Sequence, residues 1–137
     1  MKCLRFLVVP FLIYSSVGLP AQRLEVPILQ SYVTDLTKTL SSSQLQNLEL
    51  RLRAFKDTTS VQIAVLIIPS LGGKNLEDFS IRVAEKNKFG SGKRNNGVIL
   101  LVVKQDGLLR IEVGYGLEGI LTDAIADKVI REVIRPR

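Results

Sequence analysis

Two uninterrupted apolar runs, "VQIAVLIIP" at residues 61–69 and "GVILLVV" at 97–103, constrain this chain more than any other feature. Both are rich in β-branched residues. Strands that are apolar at nearly every position bury both faces, as in sheets covered on two sides. Between the runs lies a helical pattern, with Leu76, Phe79 and Val83 on one face. Asn75 is placed to cap it, and Glu77 and Asp78 suit the positive first turn. Strand, helix and strand in this order predict a parallel pair joined by a right-handed crossover.

The flanking segments extend the pattern. Upstream, "LSSSQLQNLELRLRAFKD" at 40–57 opens a helix. Ser41 and Gln44 form a capping box, with Leu40 and Leu45 as the hydrophobic staple outside it. Leu45, Leu48, Leu52 and Phe55 then repeat at three and four residues. Residues 22–40 read as irregular, anchored by Tyr32, Val33, Leu36 and Leu40. Downstream, "KQDG" at 104–107 is a hairpin turn, in which Asp106-Gly107 suits positive φ. It leads into "LLRIEVG", where Leu109, Ile111 and Val113 alternate with Arg110 and Glu112. A last helix is capped by Thr122 or Asp123 and shows Ile125, Val129 and Val133 at every fourth position. The expected fold is α/β: a three-layer α/β/α sandwich around a small mixed sheet.

The start of the chain reads differently. Lys2 and Arg5 precede an apolar run from Phe6 to Tyr14, followed by small residues. That is the layout of a secretory signal peptide, here residues 1–21, with an N-terminal membrane anchor as the alternative. The run is too short to span a bilayer, which needs about 20 residues. Export to the periplasm or the outer face of a membrane follows as the expectation, with an envelope or membrane protein as the expected partner. The single cysteine, Cys3, falls inside this segment, and the chain has no histidine. Without histidine, Ser-His-Asp and Cys-His catalysis are excluded. So are the usual zinc ligand sets; carboxylates alone suit calcium, magnesium or manganese.

Charge points away from nucleic acid. Of 19 basic residues, Lys2 and Arg5 belong to the leader, which leaves 17 against 13 acidic ones, near +4. The basic residues are scattered among acids and there is no tryptophan, so they read as a solvated surface.

The densest cluster of unusual residues is "IEVGYGLEGILTD" at 111–123. Gly114, Gly116 and Gly119 spell G-x-G-x-x-G after a strand. A dinucleotide fingerprint puts its second and third glycines on the opening turn of a helix, within a βαβ unit. Here the helix begins only near Thr122, the strand belongs to a hairpin, and Glu118 and Asp123 would repel phosphate. No nucleotide cofactor is expected. "GSGKRNNG" also fails as a phosphate loop, because Arg94 holds the Ser/Thr position. Glu112, Glu118 and Asp123, with Asp35 upstream, could serve an ion site. Loop carboxylates beside glycines are what calcium or magnesium sites use. They could equally be a cap, an ion pair with Arg110 and solvated charges. The residues alone leave both readings open.

Assembled in order, "YVTDLTKTLSSSQLQNLE", "VQIAVLIIPSLGGKNLEDFSIRVAEK", "FGSGKRNNGVILLVV" and "RIEVGYGLEGILTD" resemble the TPM domain family. Its members include thylakoid-lumen proteins linked to photosystem II repair, exported bacterial proteins and an animal receptor modulator. The resemblance runs from about Tyr32 to Ile134, within a domain taken as residues 28–137. It implies an α/β/α sandwich, usually extracytoplasmic, with weak acid phosphatase activity in some members and calcium binding in others. Carried over residue by residue, it points to Asp35, Glu112, Glu118 and Asp123 as metal ligands. The ion would be calcium, with magnesium as the alternative. Asp35, Glu118 and Asp123 are expected to converge beside the Gly114–Gly119 turn, with Glu112 nearby. A frequent family "DNG" is "NNG" here, so Asn95 replaces an acid and weakens such a site. The resemblance also implies a domain truncated at its C-terminus; were the chain complete, part of one sheet face would be left for a partner to cover. Two functions follow: an exported interaction or quality-control module that binds calcium weakly, or a weak metal-dependent acid phosphatase.

Overall fold

The computed structural model describes residues 24–90 and 92–135. The proposed signal segment, 1–21, lies outside them. Among the described residues, no helix is long and apolar enough to cross a membrane.

The two apolar runs form the central strands. Strand β2 spans Gln62–Ile68 and β3 spans Gly97–Val103. They pair in parallel from Gln62↔Gly97 to Ile68↔Val103. Between them, α2 runs from Leu76 to Asn87. The Asn75 side chain caps it by accepting from the Asp78 amide at 3.0 Å. Strand β4, Leu108–Val113, turns back antiparallel to β3. The hairpin bend places Gly107 at φ 63°, while the Asp106 carboxylate accepts from the Leu71 amide and the Ser70 hydroxyl, both at 2.8 Å.

One element departs from expectation. Residues 33–35, within the stretch expected to be irregular, form a short strand, β1, parallel to β2. Three residues are too few for a period of two to appear in sequence. The strand is recognised through its partners. The Val65 amide donates to the Tyr32 carbonyl, and the Leu36 amide donates to the Ile67 carbonyl. The Val33 amide donates at 2.6 Å to Glu49, on the helix Ser42–Thr59 (α1), so a helix side chain caps a backbone group of this edge strand. The sheet order is β1-β2-β3-β4.

Helices cover both faces, as a sheet of two-faced apolar strands requires. Helix α1, Ser42–Thr59, starts at the expected capping box of Ser41 and Gln44. Its Leu45, Leu48 and Leu52 pack on Val33, Val65 and Ile67. Helix α2 covers the opposite face, where Phe79 and Val83 meet Ala64, Leu66, Ile68, Ile99, Leu101 and Val103. Leu24, Val26 and Leu29 pack against the same cluster. The register places Arg110 beside Leu101 and Glu112 beside Ile99, so both charged β4 residues lie on the α2 face.

Helix α3, Asp123–Val129, lies against β4 and is capped by Thr122. Its inner residue is Ala126, not the expected stripe: Ile125 and Val133 are exposed. The α-helix ends at Val129 and continues as a wider π turn, Ile130–Ile134. That turn shifts the phase of the side chains that follow it, so Val133 no longer shares a face with the residues four and eight before it.

Candidate functional site

Beside β4, on the α2 face, the sheet is left partly open. A cleft of about 430 Å³ lies between α2, the end of β4 and the corner that follows it. That is within the range of ligand pockets. Its apolar lining comes from Ile81, Ala84 and Phe89 on one side and from Ile99 and Tyr115 on the other. Glu85, Lys88, Glu112 and Glu118 supply the charges.

The corner is built by close backbone contact. After Gly114, residues Tyr115–Leu117 make one turn of 3-10 helix. The Gly114 amide donates to the Gly97 carbonyl at 2.8 Å, and the Gly116 amide to the Asn95 carbonyl at 3.1 Å. A Cβ on Gly114 would run into the Asn95 carbonyl, and one on Gly116 into that of Arg94. These two glycines therefore exist to let two loops touch. Nothing crowds the Cβ position of Gly119. Asn95 itself sits at φ 44°, a conformation that asparagine and aspartate tolerate better than most residues. The "NNG" form thus preserves the bend that a "DNG" form would make. Next to it, Asn96 is buried; its side chain donates to the Ser60 carbonyl and its own carbonyl accepts from the Gln62 amide at 3.1 Å.

The carboxylates expected to converge do not. Asp35 is in register with Ile67, on the α1 face of the edge strand β1. Glu112 lies on the α2 face of the other edge strand, three residues along from Leu109, the β4 residue in Asp35's row. Three strand spacings across and three residues along put their backbones roughly 17 Å apart. The sequence could not show this, because β1 was not visible and the sheet order depends on it.

Asp35 has a different task. Its Oδ1 accepts from the Thr37 amide at 2.9 Å and the Thr37 hydroxyl at 2.7 Å, while Oδ2 accepts from the Leu40 amide at 2.8 Å. It ties the turn between β1 and α1. Burial pushes its pKa up, but hydrogen bonds from Leu40, Thr37 and Thr39 outweigh that and hold it below the usual value.

Glu112 is also engaged. Its Oε2 accepts from Arg110 Nε at 3.0 Å and lies 2.8 Å from the Ser80 hydroxyl. That hydroxyl, on α2, also accepts from Arg110 Nε at 2.8 Å and lies 2.9 Å from the Glu77 carbonyl. Ser80 is fully buried, so this network lets α2 sit over the charged side of β4. The expected Arg110–Glu112 pair is therefore present. Glu118 and Asp123 are exposed and have no ion pair or side-chain hydrogen bond among the described residues; only Glu118 lines the cleft.

Calcium asks for six to eight converging oxygens. With Asp35 committed to a turn on the opposite edge strand and Glu112 held by Arg110 and Ser80, this donor set does not fit it. Among the described residues, no group of three or more acidic, histidine or cysteine side chains is arranged to hold a metal. The cleft residues Ile81, Ala84, Glu85 and Tyr115 were not identified from sequence. One signal was available: Ile81 is a large aliphatic residue off the Leu76–Phe79–Val83 stripe of α2, and it is 37% exposed.

Comparison with known proteins places the chain. Among curated proteins nothing matches. The solution structure of the N-terminal domain of a P. gingivalis protein is similar at 39% identity and a TM-score of 0.67, over 72% of this chain and 63% of that one. The N-terminal domain of the cg2496 protein from Corynebacterium glutamicum shares the fold at 24% identity and a TM-score of 0.57, over 77% of this chain and 65% of that one. The chain thus spans less than two thirds of either structure. The TPM domain family matches from residue 33 to residue 137, with the strands, the corner and the cleft all inside the match. The chain belongs to the TPM domain family.

Proposed function

We propose that this TPM domain is an exported interaction module that takes a segment of an envelope protein into the cleft between α2 and the β4 corner. The cleft carries the reading. It is apolar in its lining, and Glu85 and Glu118 at its edges have no ion-pair partner among the described residues. Tyr115 stands beside it at 81% exposure. Aromatic and aliphatic side chains with a few placed charges are the composition of a docking site. The chain has no histidine to serve as a general base there. Export is supported by Lys2, Arg5 and the short apolar run that follows them.

The reading is tested by placing a photo-crosslinking amino acid at Tyr115 in cells of the source organism. A discrete adduct is expected, and Ala84→Trp, which fills the cleft, removes it. The same label at Arg53, on the exposed side of α1, should give none. Hydrolysis of 4-nitrophenyl phosphate by the purified protein, lost on filling the cleft while no adduct forms, would favour the phosphatase instead.

A further inference from the structure

The charged residues that line the cleft are mostly acidic in a chain that is basic overall. The protein carries +6 overall, yet three of the four charged residues that line the cleft are acidic: Glu85, Glu112 and Glu118 against Lys88. Arg110 neutralises Glu112. Glu85 and Glu118 are left exposed against Lys88, a balance of one negative charge, with the ring of Tyr115 lining the same cleft. A carboxylate pair with an open aromatic ring suits a cation, which gains from both the charges and the ring's negative face. The adjoining wall of Ile81, Ala84 and Phe89 suits an aliphatic or aromatic side chain.

Resting on the docking reading above, we propose that the occupant is a basic–apolar peptide segment of another protein, in which a large hydrophobic residue lies next to lysine or arginine. The hydrophobic side chain enters between α2 and β4. The basic one lies over Tyr115, between Glu85 and Glu118. The same charges repel acidic segments, so the site selects by sign as well as by shape.

The test titrates the full-length, isotope-labelled chain with three synthetic peptides and follows its amide signals. Gly-Leu-Phe-Arg-Lys-Gly should shift the signals of Ala84, Tyr115 and Glu118 and saturate. Gly-Leu-Phe-Glu-Glu-Gly, with its charge reversed, and Gly-Ser-Ser-Arg-Lys-Gly, without the anchor, should not. Glu85→Gln and Glu118→Gln lie on the surface and leave the fold intact; each should weaken binding by about threefold. The affinity should fall as ionic strength rises through about 0.15 M. Equal binding of the acidic peptide in the cleft would overturn the basic specificity and leave docking standing. Shifts confined to α1, or none with any peptide, would overturn this proposal, while the crosslink at Tyr115 would still judge the docking reading on its own.

Discussion

The two faces of the sheet are covered by helices of unequal effect. Helix α2 has 12 residues and buries Phe79, Ser80 and Val83. Helix α1 has 18 residues and buries none completely. The strands record the same contrast. On the α2 face, Ile99, Leu101 and Val103 of β3 are at most 1% exposed, whereas Leu100 and Val102, facing α1, are only half-buried. The N-terminal segment explains part of the difference. Leu24, Val26 and Leu29 join α2 over its face, held by Asn87, whose side chain bonds Leu29 and Pro27, and by Lys86, which donates to the Val26 carbonyl at 2.6 Å. The α1 cluster is centred instead on β1 and β2, through Val33, Val65 and Ile67. Helix length is thus a poor guide to stabilisation; what counts is how much of the strand surface the helix and its neighbours close together.

The largest expected effect tests that contrast directly. Phe79→Ala removes a side chain with 0% exposure from the sealed face and should cost about 4 kcal/mol. Leu52→Ala on the α1 face removes a half-buried side chain, which can be replaced in part by water, and should cost about 1.5 kcal/mol. Urea unfolding of the two variants measures both. Equal losses would mean that α1 seals its face as firmly as α2 does.

What could be read from the sequence follows from the same physics. The runs at 61–69 and 97–103 were legible because each position is apolar, and the caps at Ser41, Asn75 and Thr122 because their chemistry is local. The alternation of Leu109–Val113 correctly set Arg110 and Glu112 on one face. Three things were not legible. β1 is too short to show a period. Val133 kept a helical spacing from Ile125, but the π turn after Val129 breaks its phase, and before that turn the helix faces inward with Ala126, leaving Ile125 exposed. The carboxylates around Gly114 looked like one group because chain proximity suggested it, while the position of Asp35 depends on strand order, which no local pattern encodes.

Asp35 offers the next test, on the α1 face. Its carboxylate ties together the turn that delivers α1 to the sheet, and Asp35→Ala should cost about 2 kcal/mol. The sign with pH is fixed by the direction of its shift. The group is held below its ordinary value in the folded state. Its contribution is therefore complete above the unfolded value of about 3.9, and is lost as pH falls through the lower, folded value. Thermal melts from pH 6 down to about 2 should show wild type converging on Asp35→Asn at the acid end. A gap between the two that widened on acidification would contradict the hydrogen-bonded, ionised carboxylate.

The smallest expected effect concerns calcium, and it bears on both faces at once. A site built from all four carboxylates would have to draw Asp35 from the α1 face of one edge strand and Glu112 from the α2 face of the other. Each would have to give up partners it already holds: Thr37 and Leu40 for Asp35, Arg110 and Ser80 for Glu112. Glu118 and Asp123 alone leave most of the ion's coordination to water. A site of that kind has a dissociation constant on the order of 10⁻² M or weaker, and several millimolar calcium then stabilises the fold by only about 0.2 kcal/mol. For a domain of this size, that moves the melting temperature by about 1 °C. Magnesium should do no more, because it demands stricter octahedral geometry from the same sparse donors. Differential scanning fluorimetry with and without each ion, on wild type and Asp123→Asn, makes the measurement. A rise of several degrees that disappears in Asp123→Asn would show that Asp123 and Glu118 gather enough oxygens at the corner to bind an ion without Asp35.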